Sequence, residues 1–170
     1  IVATGFGVDR ALAQEAPARP ALIQSEGIVA QEEGTTYQYK AGGVQFTVPE
    51  GWRDEKQANG SILVGPTDGD LVVIVWAPDE QDINRAAKTV DAVLGKFVSG
   101  VEVEQVEDIK ESNGMRTLCV SGSGTASQKD CEFSAQFVQG TRLVVFLAVA
   151  DAEALAQHED ALAELDDSIT

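Results

Sequence analysis

Apolar and polar residues alternate along Val44-Gln45-Phe46-Thr47-Val48, and the alternation stops at Pro49-Glu50-Gly51-Trp52. Successive side chains of a strand point to opposite faces, so Val44, Phe46 and Val48 are predicted to share a buried face, with Gln45 and Thr47 on the other. Pro49 has no N–H to give a sheet ladder and ends the strand or sits at an edge. Gly51 can supply the positive φ of a tight turn. Trp52 has a large apolar face to bury and one N–H to satisfy.

The same reading predicts three more strands before residue 80. They cover 35–40, 61–65 and 71–77, the last two joined through Pro66-Thr67-Asp68-Gly69-Asp70, where Asp-Gly is a hairpin signal. Residues 71–76 are apolar on both faces and should form a central strand covered on both sides. Asp79 is the expected cap of a helix whose buried stripe is Ile83, Ala87, Val90, Leu94 and Phe97, closed by Gly100 in left-handed conformation. Val101 and Val103 alternate with Glu102 and Glu104, a strand with one wet face. Asn113-Gly114 is a second hairpin turn, followed by strands at 115–120, 131–137 and 143–149, the last again apolar on both faces. A final helix is predicted over 151–167, with Leu155, Leu162, Leu165 and Ile169 in one stripe.

The order is ββββ-α-ββββ-α. Short hairpins imply antiparallel pairing, so the fold class is α+β, a twisted, mostly antiparallel sheet with helices packed on it. Residues 1–34 are rich in Ala, Pro and Glu with no sustained period and read as a flexible leader or tether, with one short helix near 9–15. Residues 35–170 are expected to form a single α+β domain.

Composition narrows the function classes. Of 170 residues, 44% are hydrophobic, enough for one core, and 28 acidic against 12 basic residues give a net charge of −16. That charge repels phosphate backbones and anionic lipids, which argues against nucleic-acid and membrane-surface roles; solubility, high salt, a basic partner or cations are its other readings. No run of eighteen apolar residues is present to span a bilayer. The chain starts at Ile1, read as the tail of an apolar segment, and Ala11-Leu12-Ala13 before Gln14 fits a small-x-small processing site. Export to a periplasmic or extracellular compartment is therefore expected, with a cytoplasmic location as the alternative.

Chemistry-bearing residues are sparse. Cys119 and Cys131 flank a Ser/Gly-rich loop; if that hairpin is symmetric about Thr125 they face each other and, in an oxidising compartment, form a structural disulfide. In the cytosol they would be two buried thiols. The one histidine, His158, falls among leucines of the last helix, a position suited to a hydrogen bond at the edge of the core. No nucleophile elbow, paired-histidine zinc motif or phosphate-binding loop is present, so no catalytic, cofactor or metal residue is assigned and the chain is read as no enzyme. Asp68-Gly69-Asp70 is a turn first and a calcium ligand set a distant second. Asp151, Glu153, Glu159, Asp160, Glu164, Asp166 and Asp167 make the last helix acidic, either as a solvated face or as a surface for a basic partner.

The strand-helix layout, headed by Phe46, Val48, Pro49, Gly51 and Trp52, resembles the Mog1/PsbP-like superfamily over roughly residues 35–170. Its members include photosystem extrinsic proteins, a Ran-binding nuclear-transport protein, and DcrB-like and LpqN-like bacterial envelope proteins. The resemblance implies a non-catalytic accessory module of the bacterial cell envelope that binds a protein partner. A cytosolic DcrB-like chaperone or adaptor is one alternative, and a small-ligand or divalent-cation binding protein another. No binding residue of the superfamily carries over.

Overall fold

A computed structural model describes residues 34–170 apart from Ala41 and Asn113. The leader, short helix and processing site expected in residues 1–33 lie outside the described residues, as does Asn113 of the second hairpin turn.

The strands are β1 (Thr36–Tyr39), β2 (Val44–Thr47), β3 (Trp52–Lys56), β4 (Ile62–Pro66) and β5 (Val72–Trp76), then β6 (Ser99–Val106), β7 (Lys110–Ser112), β8 (Met115–Ala126), β9 (Lys129–Gln139) and β10 (Leu143–Ala150). Between β5 and β6 lie helices α1 (Ile83–Ala86) and α2 (Val90–Leu94); after β10 come α3 (Ala152–Gln157) and α4 (Glu159–Asp167). The large sheet has the order β3-β4-β5-β10-β9-β8-β6, with β7 also paired to β8, and its pairings are antiparallel. The α+β class and the antiparallel sheet are as the sequence predicts.

β5 and β10 occupy the middle, as two-sided apolar runs require. Val73 and Val75 face one core, while Ile74 and Trp76 face the other. The first core packs β1–β2, α3 and α4 against the sheet through Phe46, Phe146, Ala154, Leu165 and Ile169. The second is closed by α1 and α2 through Ile83, Ala86, Val90 and Leu94, against Leu118, Phe133 and Phe137. Val44, Phe46 and Val48 are buried, and Gly51 takes φ 78°.

Several expectations change in detail, and the helix expected over 151–167 is two helices, α3 and α4, that meet at His158. The hairpin β1–β2 is a separate two-stranded sheet laid over the first core. It is tied to the chain's end by reciprocal bonds, Gln45 N–H to Thr170 C=O at 2.7 Å and Thr170 N–H to Gln45 C=O at 2.9 Å. The helix after Pro78 is two short helices, capped not by Asp79 but by Asp82, whose carboxylate accepts from Arg85 N–H at 3.0 Å. Gly100 has φ 60° but lies inside β6, beyond the helices. β3 was hidden because Trp52-Arg53-Asp54-Glu55-Lys56 has no apolar alternation; it is a polar edge strand.

The expected Cys119–Cys131 disulfide is overturned by register. The hairpin turns at Ser127-Gln128, both at positive φ (51° and 65°), not at Thr125. Cys119 therefore sits opposite Gln136, and Cys131 opposite Gly124. Directly opposed residues share a face, and side chains alternate along β9, so Gln136 and Cys131 point to opposite sides. The two sulfurs lie on different faces of the sheet and both cysteines are free.

Candidate functional site

An open cleft of about 360 Å3 runs between the sheet and helices α3 and α4. Two strands supply its floor: Glu132 alternates with Cys131 and Phe133, so it leaves the second core and points under α4, while Glu104 comes from the outer strand β6. The helices supply the roof, with Leu155 and Leu162 on its apolar part and Glu159 and Asp166 at its rim. Four carboxylates thus converge, and no Lys or Arg stands among the lining residues.

The cleft changes Asp166. Desolvation beside it, reinforced by the neighbouring Asp167 carboxylate, pushes Asp166 up to about 6, although Asp166 is exposed and water screens part of this effect. The sign follows from proton linkage. Between the ordinary aspartate value and about 6 the folded chain holds a proton that the unfolded chain has released, so the Asp166 contribution to stability falls as pH rises through that window. Asp166→Asn is expected to flatten the melting temperature between pH 4 and 6 and to raise it at pH 7; an unchanged profile in thermal melts would contradict this.

The outer wall of the cleft is an open sheet edge. β6 carries two irregularities of register, one between Ser99 and Glu102 and one between Val103 and Gln105, with Gly100 at positive φ in the first. Val103 and Val106 lie opposite Gly122 and Val120, on the side of the sheet away from the cleft, and are 41% and 50% exposed. They are the exposed large hydrophobic residues among those described. One strand therefore offers apolar side chains on one face, a carboxylate at the cleft on the other, and unpaired backbone groups along its rim.

Elsewhere the structure assembles a group that the sequence held apart. The β4–β5 turn brings Asp68 and Asp70 to His158, at the junction of α3 and α4, with their ligand atoms all within 4.8 Å of one another. His158 Nε2 lies 3.1 Å from Asp70 Oδ1, and its ring meets Trp52 edge to face at 5.9 Å. The hydrogen bond and core-edge position expected of His158 are both present; its carboxylate partner Asp70, 88 residues distant, is not foreseeable from its sequence neighbours. Asp68 is moved in opposite directions: desolvation raises it, but hydrogen bonds at Asp70 and the nearby His158 ring outweigh this and hold its carboxyl below the usual range.

The cysteines show no activation. Burial pushes the Cys119 thiol up, with Glu107 and Asp166 adding to it, and burial likewise raises Cys131. Of the acidic residues of the last helix, Asp151 is accounted for structurally: its carboxylate accepts from Ala154 N–H at 2.8 Å and caps α3. Asp166 and Glu159 reach the cleft. The strand residues Glu104, Glu132, Val103 and Val106 carry no motif that marks them as a site in the sequence. Their signal was the run Glu102-Val103-Glu104-Gln105-Val106, polar enough on both faces to mark an edge strand.

No protein-family model matches the chain. No curated protein matches it. Among solved structures it is similar to cyanobacterial PsbP (CyanoP) from Synechocystis, with a TM-score of 0.56 and 15% identity over 88% of this chain and 99% of that one. LpqN of Mycobacterium tuberculosis, involved in cell envelope biogenesis, aligns at a TM-score of 0.48 and 17% identity, over 81% of this chain and 90% of that one. PA94 of Pseudomonas aeruginosa, of unknown function, aligns at 0.45 and 11%, over 78% and 92%. With a TM-score of 0.56 over 99% of CyanoP, the chain has the PsbP-like fold.

Proposed function

We propose that the protein is a non-catalytic accessory module that holds a protein partner along β6 and its adjoining cleft. The observation that carries this reading is the open edge strand whose two faces differ: Val103 and Val106 on one, the four-carboxylate cleft on the other. An extended segment adding to β6 would satisfy the free backbone groups of the edge and place alternate residues on opposite faces. The matching partner segment alternates apolar and basic residues. The net charge of −16 favours approach of such a segment from a distance, and salt weakens it. The envelope location belongs to this reading as well; it rests on the Ala11-Leu12-Ala13 pattern, since the free cysteines no longer support it.

A photo-crosslinking residue at Val103, with Glu55 on the opposite edge strand as control, tests this in the native host. One protein is expected to crosslink at position 103 and not at 55. Its purified form should bind the full chain at least tenfold more weakly after Val103→Asp, and more weakly again in added salt. Equal crosslinking at both edges, or an affinity unmoved by Val103→Asp, would sink the reading.

A further inference from the structure

We propose that Asp68, Asp70 and His158 form a binding site for a borderline divalent transition metal, with Zn2+ as the preferred ion. The donor set is one imidazole nitrogen and two carboxylates. Imidazole selects zinc and its neighbours over calcium and magnesium, which take oxygen ligands. Three protein ligands with the remaining position open is the usual number for a zinc site that also holds water or a partner group.

The geometry is nearly assembled. With metal–ligand bonds of about 2.0–2.1 Å, tetrahedral ligand atoms stand roughly 3.3 Å apart. Here the three donors are within 4.8 Å of one another, and His158 and Asp70 are already 3.1 Å apart. The closure required falls on the two exposed aspartates either side of Gly69, whose φ of 78° sets the turn that points both toward α3 and α4. The imidazole is the fixed member: its side chain is 13% exposed and Trp52 stands edge-on against the ring.

Charge points the same way. Among the described residues neither aspartate has a Lys or Arg ion pair; the one ion-pair partner in reach is His158 itself, on Asp70. The Arg53 guanidinium lies at the same turn, where it donates to the Thr67 carbonyl and forms no ion pair with either aspartate. Two carboxylates therefore share one imidazole, in a chain whose overall field attracts cations. Binding places the Nε2 lone pair on the ion and leaves the ring proton on Nδ1. Any proton held between Nε2 and Asp70 passes to solvent. The ion would staple the β4–β5 turn to the α3–α4 junction. This site is independent of the β6 edge.

The test is titration of the metal-free full chain with Zn2+, followed by calorimetry and by NMR of the histidine ring. Because the chain has one histidine, its ring resonances are unambiguous. The expected result is one ion per chain, a shift of the His158 ring signals at the same equivalence point, and a rise in melting temperature. Asp70→Asn and His158→Gln, which keep side chains able to hydrogen-bond, should each weaken binding at least tenfold while the apo melting temperature holds. Unshifted ring signals during zinc uptake would assign the ion to other carboxylates and overturn the proposal. So would affinity equal to wild type in His158→Gln, or no uptake at millimolar zinc.

Discussion

Replacing Phe46 by alanine is expected to cost about 3–5 kcal/mol, the range for truncating a fully buried aromatic side chain. Phe46 has no exposed surface. Its ring stacks on Tyr37 at 5.6 Å and meets Phe146 of the central strand β10 edge-on at 5.3 Å. It is thus the peg between the β1–β2 hairpin and the main sheet, two layers with no strand pairing between them. Truncation removes the transfer free energy of the ring and leaves a cavity that the flanking strands cannot fill. Urea unfolding monitored by circular dichroism would measure the loss. A cost below about 1 kcal/mol, beneath the range for such truncations, would mean that the hairpin is not part of the folding unit.

Gly122→Ala is expected to loosen β6 specifically, at a cost of about 1–3 kcal/mol. A Cβ at position 122 would fall well inside contact distance of the Glu102 carbonyl oxygen and 3.0 Å from Phe133 Cζ. The obstacle on one side is backbone, which cannot rotate aside. The ring on the other is held in the second core. Either β6 moves outward or β8 buckles. Hydrogen exchange should show faster exchange of β6 amides, with β5 and β10 protected as before. Partner affinity should fall with it, since the proposed docking edge is displaced. Unaltered protection across β6 would show that strand β8 takes up the strain.

Legibility of the fold in the sequence followed how each segment is buried. β5 and β10 were evident because strands covered on both sides are apolar at every position, a pattern that needs no partner to be recognised. The hairpin at Gly69 was evident because a glycine at positive φ leaves a dipeptide signature. Ser127 and Gln128 adopt positive φ without that signature, so the turn position, and with it the cysteine register, could not be read. The same limit hid β3, whose strand character comes from pairing with β4 rather than from its own side chains. The break between α1 and α2 leaves the hydrophobic spacing almost intact, so periodicity alone ran the two together. The candidate sites were the least legible. Glu104, Glu132 and Asp166 come together through sheet order and helix packing, and His158 meets Asp68 and Asp70 through a turn far away in the chain.

The place of β10 bears on when this chain can fold. The last strand in chain order among the described residues is the centre of the sheet, bonded to β5 on one side and β9 on the other. Until residues 143–150 are available, the inner rim of β5 has no neighbour, and both cores lack the side chains that β10 contributes to each. Native contacts between β5 and β10 also span a long stretch of sequence, which slows folding. A ribosome that still holds β10 therefore keeps β3-β4-β5 and β9-β8-β6 apart as two half-sheets.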